Sequence, residues 1–341
     1  MGFAAMSACS KTRPLPPSSP FPPVSRWEKP LDGPLASPPV SDGTSVFTVL
    51  STGAISAFDP ATGNPLWTRP GSSPGFLAAR PSFLVFVEKG GIVWGLKAED
   101  GTAQWKTTTQ VKDVQSVRID GNRVFLGGSN GLASLMVSTG ELRYEVQGKD
   151  LRDLDVAGSS VACIEGADLI VRDRETGGIR YRVASPEGSF GAPALFEDGR
   201  VVLGSGSRFV RAISAKGDFR WRFKVGAVVK DRPVDFHDRK RVGVFSFEGV
   251  FYELSLGGGD MRRRVLLPSR PYGAAQLSQG RIWAPVFEDE IAAIDPATMK
   301  LVGRTRFGGG FLSSPILAQG RLFAEVTGPR RIVALGIANP L

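Results

Sequence analysis

The chain has 341 residues, a formal charge of +9, one histidine and two cysteines. Two cysteines make no disulfide framework, and one histidine with two distant cysteines makes no zinc site. The positive charge suits an anionic membrane surface or an acidic partner; with no arginine-rich helix and no zinc-finger spacing, it does not point to nucleic acid.

Met6-Ser7-Ala8-Cys9 looks like the cleavage and lipidation site of a bacterial lipoprotein, without the basic start and long apolar core of a full leader. It is either a lipidation site at Cys9 behind a truncated start, or a chance match. Ten prolines follow within residues 11–40, so residues 1–23 read as an extended tether. Cys163 alternates into an apolar strand and reads as a small core residue.

From Val46 the chain falls into a repeating unit: an apolar run, a tight turn, a second run, an Asp-x-x-Thr-Gly turn, and a strand bearing an aromatic. Trp67, Trp105, Tyr144, Tyr181 and Trp221 follow one another at intervals of 38, 39, 37 and 40 residues. Asp59 and Gly63 hold the first turn, and Asp295 opens a near copy of it. The aspartate accepts hydrogen bonds from its own turn, and the glycine supplies positive φ. About four strands in a period near 40 mark a β-propeller.

Trp27 lies 40 residues before Trp67 with no earlier strands of its own, while the chain ends after three strands of a last blade. Trp27 is therefore expected to supply the fourth strand and close the ring, which removes free sheet edges. Counting outer strands gives an all-β, eight-bladed propeller over residues 24–336, with 337–341 as a tail. Blades six and seven lack the outer aromatic but keep their middle strands.

Ala57-Phe58-Asp59-Pro60-Ala61-Thr62-Gly63-Asn64-Pro65-Leu66-Trp67 is the strongest copy of a pattern that resembles the quinoprotein, or PQQ-like, propeller repeat. The resemblance covers about residues 24–336. That superfamily includes quinone-dependent dehydrogenases and proteins that bind no quinone. Among the latter, eight blades behind a lipidated cysteine and a short linker resemble the BamB-type outer-membrane assembly lipoproteins. This implies a non-catalytic scaffold in the periplasm, tethered to the outer membrane through Cys9, with protein partners from outer-membrane assembly and no cofactor.

The dehydrogenase alternative implies calcium beside the quinone and often a disulfide between adjacent cysteines, which this chain does not have. Glu288-Asp289-Glu290 is the only tight acidic triplet and is expected in the turn between the second and third strands of blade seven. It reads as a solvated tip, a partner contact or a weak cation site. His237 could serve a hydrolytic triad, but no nucleophile-elbow motif accompanies it. A third alternative is a carbohydrate or ligand sensor with Phe209, Phe247 and Tyr272 at the channel mouth. For the scaffold reading, the candidate partner contacts are Arg239, Lys240, Glu288, Asp289, Glu290, Arg330 and Arg331, on faces the sequence leaves open.

Overall fold

The computed structural model describes residues 25–186, 188–287 and 289–336. All its regular structure is β, in eight four-stranded antiparallel sheets. Blades 1 to 7 are meanders over 40–69, 75–108, 116–147, 151–183, 194–224, 234–266 and 276–306. Their strands run in order from an inner one at the channel to an outer one at the rim.

Blade 8 departs from chain order. Ile316–Ala318, Arg321–Val326 and Arg331–Gly336 supply its first three strands, and Ser25–Pro30 pairs antiparallel with the third, Trp27 opposite Ala334. The ring closes as the position of Trp27 requires. Cys9 and the 1–23 and 337–341 segments lie outside the described residues.

The hydrophobic core sits between blades rather than within them. Eight buried clusters correspond to eight junctions, such as Phe83, Val85 and Val93 of blade 2 against Val124, Leu126 and Ala133 of blade 3. This is why second and third strands such as Phe83–Glu88 are apolar on both sides: each face packs on a neighbour. Cys163 is fully buried in the junction of blades 3 and 4, and burial pushes its thiol up to about 12.

The outer aromatics lock the junctions. The Nε1 groups of Trp27, Trp67, Trp105 and Trp221 donate to the carbonyls of Pro60, Ala98, Val137 and Leu256 in the following blade. Each ring lies on the turn glycine of that blade. A Cβ on Gly63 would stand 2.6 Å from the Trp27 ring, and Gly63 also has φ +71°. Gly101, Gly140 and Gly259 receive Trp67, Trp105 and Trp221 in the same way; Gly177 and Gly217 receive Tyr144 and Tyr181. Burying one such ring contributes about 1.5–3 kcal/mol.

Blade 6 shows how a junction forms without the aromatic. Arg263 holds its place in the register, opposite Glu253 where other blades put Ala57, Gly95 or Ala212. Its guanidinium donates to the Ala297 and Pro296 carbonyls of blade 7, as the indoles do elsewhere. Glu253, 1% exposed, neutralises it at 2.6 Å, and Met299 takes the turn glycine's left-handed position at φ +53°.

The turn aspartates organise their own loops. In blade 4, Asp173 accepts from the backbone of Glu175 and Thr176, and from Arg180 at 2.7 Å. Arg180 first, then the turn donors, hold its carboxyl at about 2 against an ordinary 3.8. A lowered carboxylate stabilises the fold above its unfolded value, and that contribution is lost as pH falls through the folded one. Asp173→Asn is therefore expected to flatten the loss of stability between about pH 4 and pH 2, read from acid-unfolding curves. An unchanged slope would contradict this role for the turn.

Candidate docking face

Consecutive turns of a meander alternate between the two faces of the disc. One face carries the turns between second and third strands together with the connections between blades; it is called here the connector face. The opposite face carries the remaining hairpin turns. This alternation separates the candidate contacts. Arg239 and Lys240 lie on the opposite face, in the turn between the first two strands of blade 6, and both are exposed. Asp289 and Arg330 lie on the connector face, in the turns of blades 7 and 8.

Two of the expected contacts are not free surface groups. Glu290 begins the third strand of blade 7, is 4% exposed, and meets Arg306 at 3.2 Å and Arg304 at 3.6 Å from the outer strand. Arg331 begins a strand as well, bonds Glu28 at 2.7 Å and donates to the Gly308 carbonyl, so it ties the closing strand to its neighbours. A strand start turns alternate side chains inward, and each inward charge here finds an opposite one. Glu288 lies outside the described residues.

The connector face carries a ladder that the sequence scatters over several loops. Lys230 stands 5.9 Å from the ring of Phe247. Arg270 is stacked between Phe247 at 5.4 Å and Phe287 at 4.5 Å. Phe287 packs on Tyr272 at 5.1 Å, Tyr272 on Phe311 at 5.3 Å, and Phe311 on Phe307 at 5.3 Å. The loop backbones hold this order: Phe287 N donates to Arg270 O, and Tyr272 N to Pro285 O. The Tyr272 hydroxyl donates to Phe311 O at 2.6 Å. Burial first, then the nearby Glu325 carboxylate, raise its phenol above the usual value.

Arg270 is exposed, and among the described residues it has no carboxylate partner. Beside the ladder lies a recess of about 350 Å³ at the channel mouth, lined by Leu35, Ser37, Tyr272, Leu312 and Glu325 among others. Glu325 is buried at its floor, held by Arg330 at 3.0 Å and by Leu35 N at 3.2 Å. Of the three aromatics expected at a ligand mouth, Phe247 and Tyr272 belong to the ladder. Phe209 sits apart, covered by Arg211 and Arg222.

Two other recesses contain charged groups. A cleft of about 510 Å³ on the opposite face, between blades 5 and 6, is lined by Glu197, Asp198, Arg200, Asp235, His237 and Arg239 together with Phe196 and Leu256. His237 is largely exposed, with Nδ1 3.3 Å from Asp235. Among the described residues no serine, threonine or cysteine lines that cleft. In the channel, Arg118, Asp153, Asp231 and Arg232 converge from different blades, and Arg232 is paired with Asp155. Burial, then Arg232, push Arg118 down to about 10; burial, then Asp153, raise Asp231. These channel groups recur in no other blade, so the repeat pattern gives no signal for them. Among the described residues no group of three or more His, Cys, Asp or Glu is placed to hold a metal ion.

A family model described as Outer membrane protein assembly factor BamB matches residues 25–145, the closing strand and the first three blades. Two proteins of that name also align: one from Xanthomonas campestris pv. campestris, 31% identical over 106 residues, and one from Yersinia pestis, 23% identical over 277 residues. Over residues 25–145 the repeat is similar to the PQQ-like, BamB-type repeat. The first alignment covers 30% of this chain and the second 75%. The chain spans 26% and 62% of those relatives' lengths.

Among solved structures, the ring resembles BamB from Moraxella catarrhalis at TM-score 0.70 and 13% identity, over 92% of this chain and 99% of that one. It resembles a computationally designed protein at TM-score 0.76 and 16% identity, over 90% and 98%. Sqt1 of Saccharomyces cerevisiae matches at TM-score 0.73 and 10% identity, over 93% and 99%. Proteins this different share the ring, so at such identities the likeness concerns fold alone.

Proposed function

We propose that this chain is a non-catalytic interaction scaffold of the bacterial envelope, working in outer-membrane protein assembly and docking a protein partner through its connector face. The observation that carries the reading is Arg270, exposed and stacked between Phe247 and Phe287 at the edge of an aromatic ladder. Arginine and aromatic residues dominate interface hot spots, and a pre-stacked guanidinium loses little conformational freedom on binding. The names of the relatives, outer membrane protein assembly factors, support the choice of partner class. On this reading residues 1–23 are a tether on the periplasmic side, anchored through Cys9, and Asp289 and Arg330 flank the docking surface. Arg239 and Lys240 then lie away from it.

The test is affinity capture from detergent-solubilised envelopes with the full chain as bait. Enrichment of outer-membrane assembly proteins is expected, reduced about thirtyfold in affinity by Arg270→Glu, the size of a hot-spot loss. Capture of no such protein by the wild-type chain would overturn the reading.

A further inference from the structure

The outer strands hold sixteen Lys or Arg and only two Glu, a surplus larger than the +9 of the whole chain. The surplus is concentrated. The outer strands of blades 4 to 7, Ile179–Val183, Phe219–Lys224, Met261–Leu266 and Lys300–Arg306, hold nine arginines, two lysines and no acid. We infer that this half of the rim is a binding surface for an anionic phospholipid bilayer.

Inside the protein these cations are only partly answered. Arg180, Arg182, Arg263, Arg304 and Arg306 meet carboxylates. Arg220, Lys224, Arg262 and Arg264 are exposed, and among the described residues no carboxylate lies within ion-pair distance of them. Protection of free sheet edges asks for some charge on outer strands. It does not ask for this much: the outer strands of blades 1 to 3 together carry three basic residues and one Glu.

Four observations favour a lipid surface. Large apolar side chains stand exposed among the cations: Ile179 and Phe219 at 53%, Leu266 at 47% and Met261 at 45%. Cations at headgroup level with apolar tips beside them are the pattern of interfacial binding. Arginine outnumbers lysine, and its planar fork matches phosphate oxygens. A groove of about 340 Å³ lined by Pro186, Phe219, Arg220 and Arg222 gives a headgroup room where the patch passes from blade 4 to blade 5. The chain also enters the ring on the outer strand of blade 8, next to blade 7, so the patch begins beside the point where the 24 preceding residues join.

The belt is distinct from the connector-face ladder and does not depend on the docking reading. It is tested by flotation of the full chain carrying Cys9→Ser, so that no acyl group contributes. Phosphatidylcholine vesicles with and without phosphatidylglycerol are compared at low and high salt. Binding only to the anionic vesicles and its release by salt are expected. Arg220→Glu/Lys224→Glu/Arg262→Glu/Arg264→Glu should weaken it about tenfold or more. Lys89→Glu/Lys97→Glu/Lys112→Glu/Lys149→Glu, the same charge change outside the belt, should leave most of the binding in place. Equal binding to neutral vesicles, or equal loss in both quadruple variants, would overturn the proposal. So would retention on immobilised polyglutamate without vesicle binding, which would assign the belt to an acidic protein. Circular dichroism of each variant confirms folding before flotation.

Discussion

Deleting residues 1–30 is expected to abolish the monomeric, cooperatively folded protein. The deletion removes the outer strand of blade 8 and strips the edge of Arg331–Gly336 of its six register partners. Ile332, Val333, Ala334 and Leu335, all fully buried in the closed ring, would then sit on an open sheet edge. An apolar unpaired edge recruits other chains, so oligomers and aggregates should replace the monomer in size-exclusion chromatography with light scattering. The point substitution Trp27→Ala keeps the strand but removes the ring that packs on Phe323 at 5.9 Å and bonds Pro60 O at 3.0 Å. It should cost about 3 kcal/mol in denaturant unfolding, the low end for a large-to-small aromatic change because this ring is only half-buried. Removal of residues 1–20 alone should leave the melt unchanged, which separates the closing strand from the segment before it. A monomeric 31–341 fragment with the wild-type melting temperature would show that closure contributes little.

The second large effect is expected at the junction of blades 6 and 7. Arg263→Ala removes the near partner of the buried Glu253 and leaves only Arg241, at 3.7 Å. A buried carboxylate losing its main partner costs about 3 kcal/mol, far more than an exposed ion pair gains. The remedy follows from the other junctions. Arg263→Trp with Glu253→Ala and Met299→Gly recreates the junction formed by Trp67 opposite Ala57 and over Gly101. The triple variant should recover most of the stability lost in Arg263→Ala, because replacing a buried ion pair by well-packed apolar groups is often neutral. Equal destabilisation in the single and triple variants would mean that Arg263 does not occupy an indole's place.

These two sites also mark how far the sequence could be read. The ring was legible because its devices repeat: an aromatic near every fortieth residue, an Asp and Gly turn before it, and a solitary Trp27 matched to an unfinished last blade. Arg263 was not legible as part of that series. A guanidinium substitutes for an indole only through its hydrogen bonds to Pro296 and Ala297 and through Glu253, and none of these is adjacent in the chain. Glu290 read as a loop acid because two acids precede it; the strand begins at Glu290 itself and turns it inward onto Arg304 and Arg306. The ladder needed coordinates, since Phe247, Arg270, Phe287 and Phe311 belong to four different loops that only the closed ring brings together. The basic rim was visible as net charge, but its confinement to four neighbouring outer strands depends on knowing which strands are outer.

The most direct measurement of the docking claim is face-resolved photo-crosslinking in intact envelopes. One photoreactive residue is placed at Leu312, exposed on the connector face, and another at Arg239 on the opposite face. Crosslinks to an outer-membrane assembly protein from Leu312, lost on adding Arg270→Glu and absent from Arg239, are the predicted result. Crosslinks to that protein from Arg239 and none from Leu312 would place the partner on the wrong side of the disc and contradict the account.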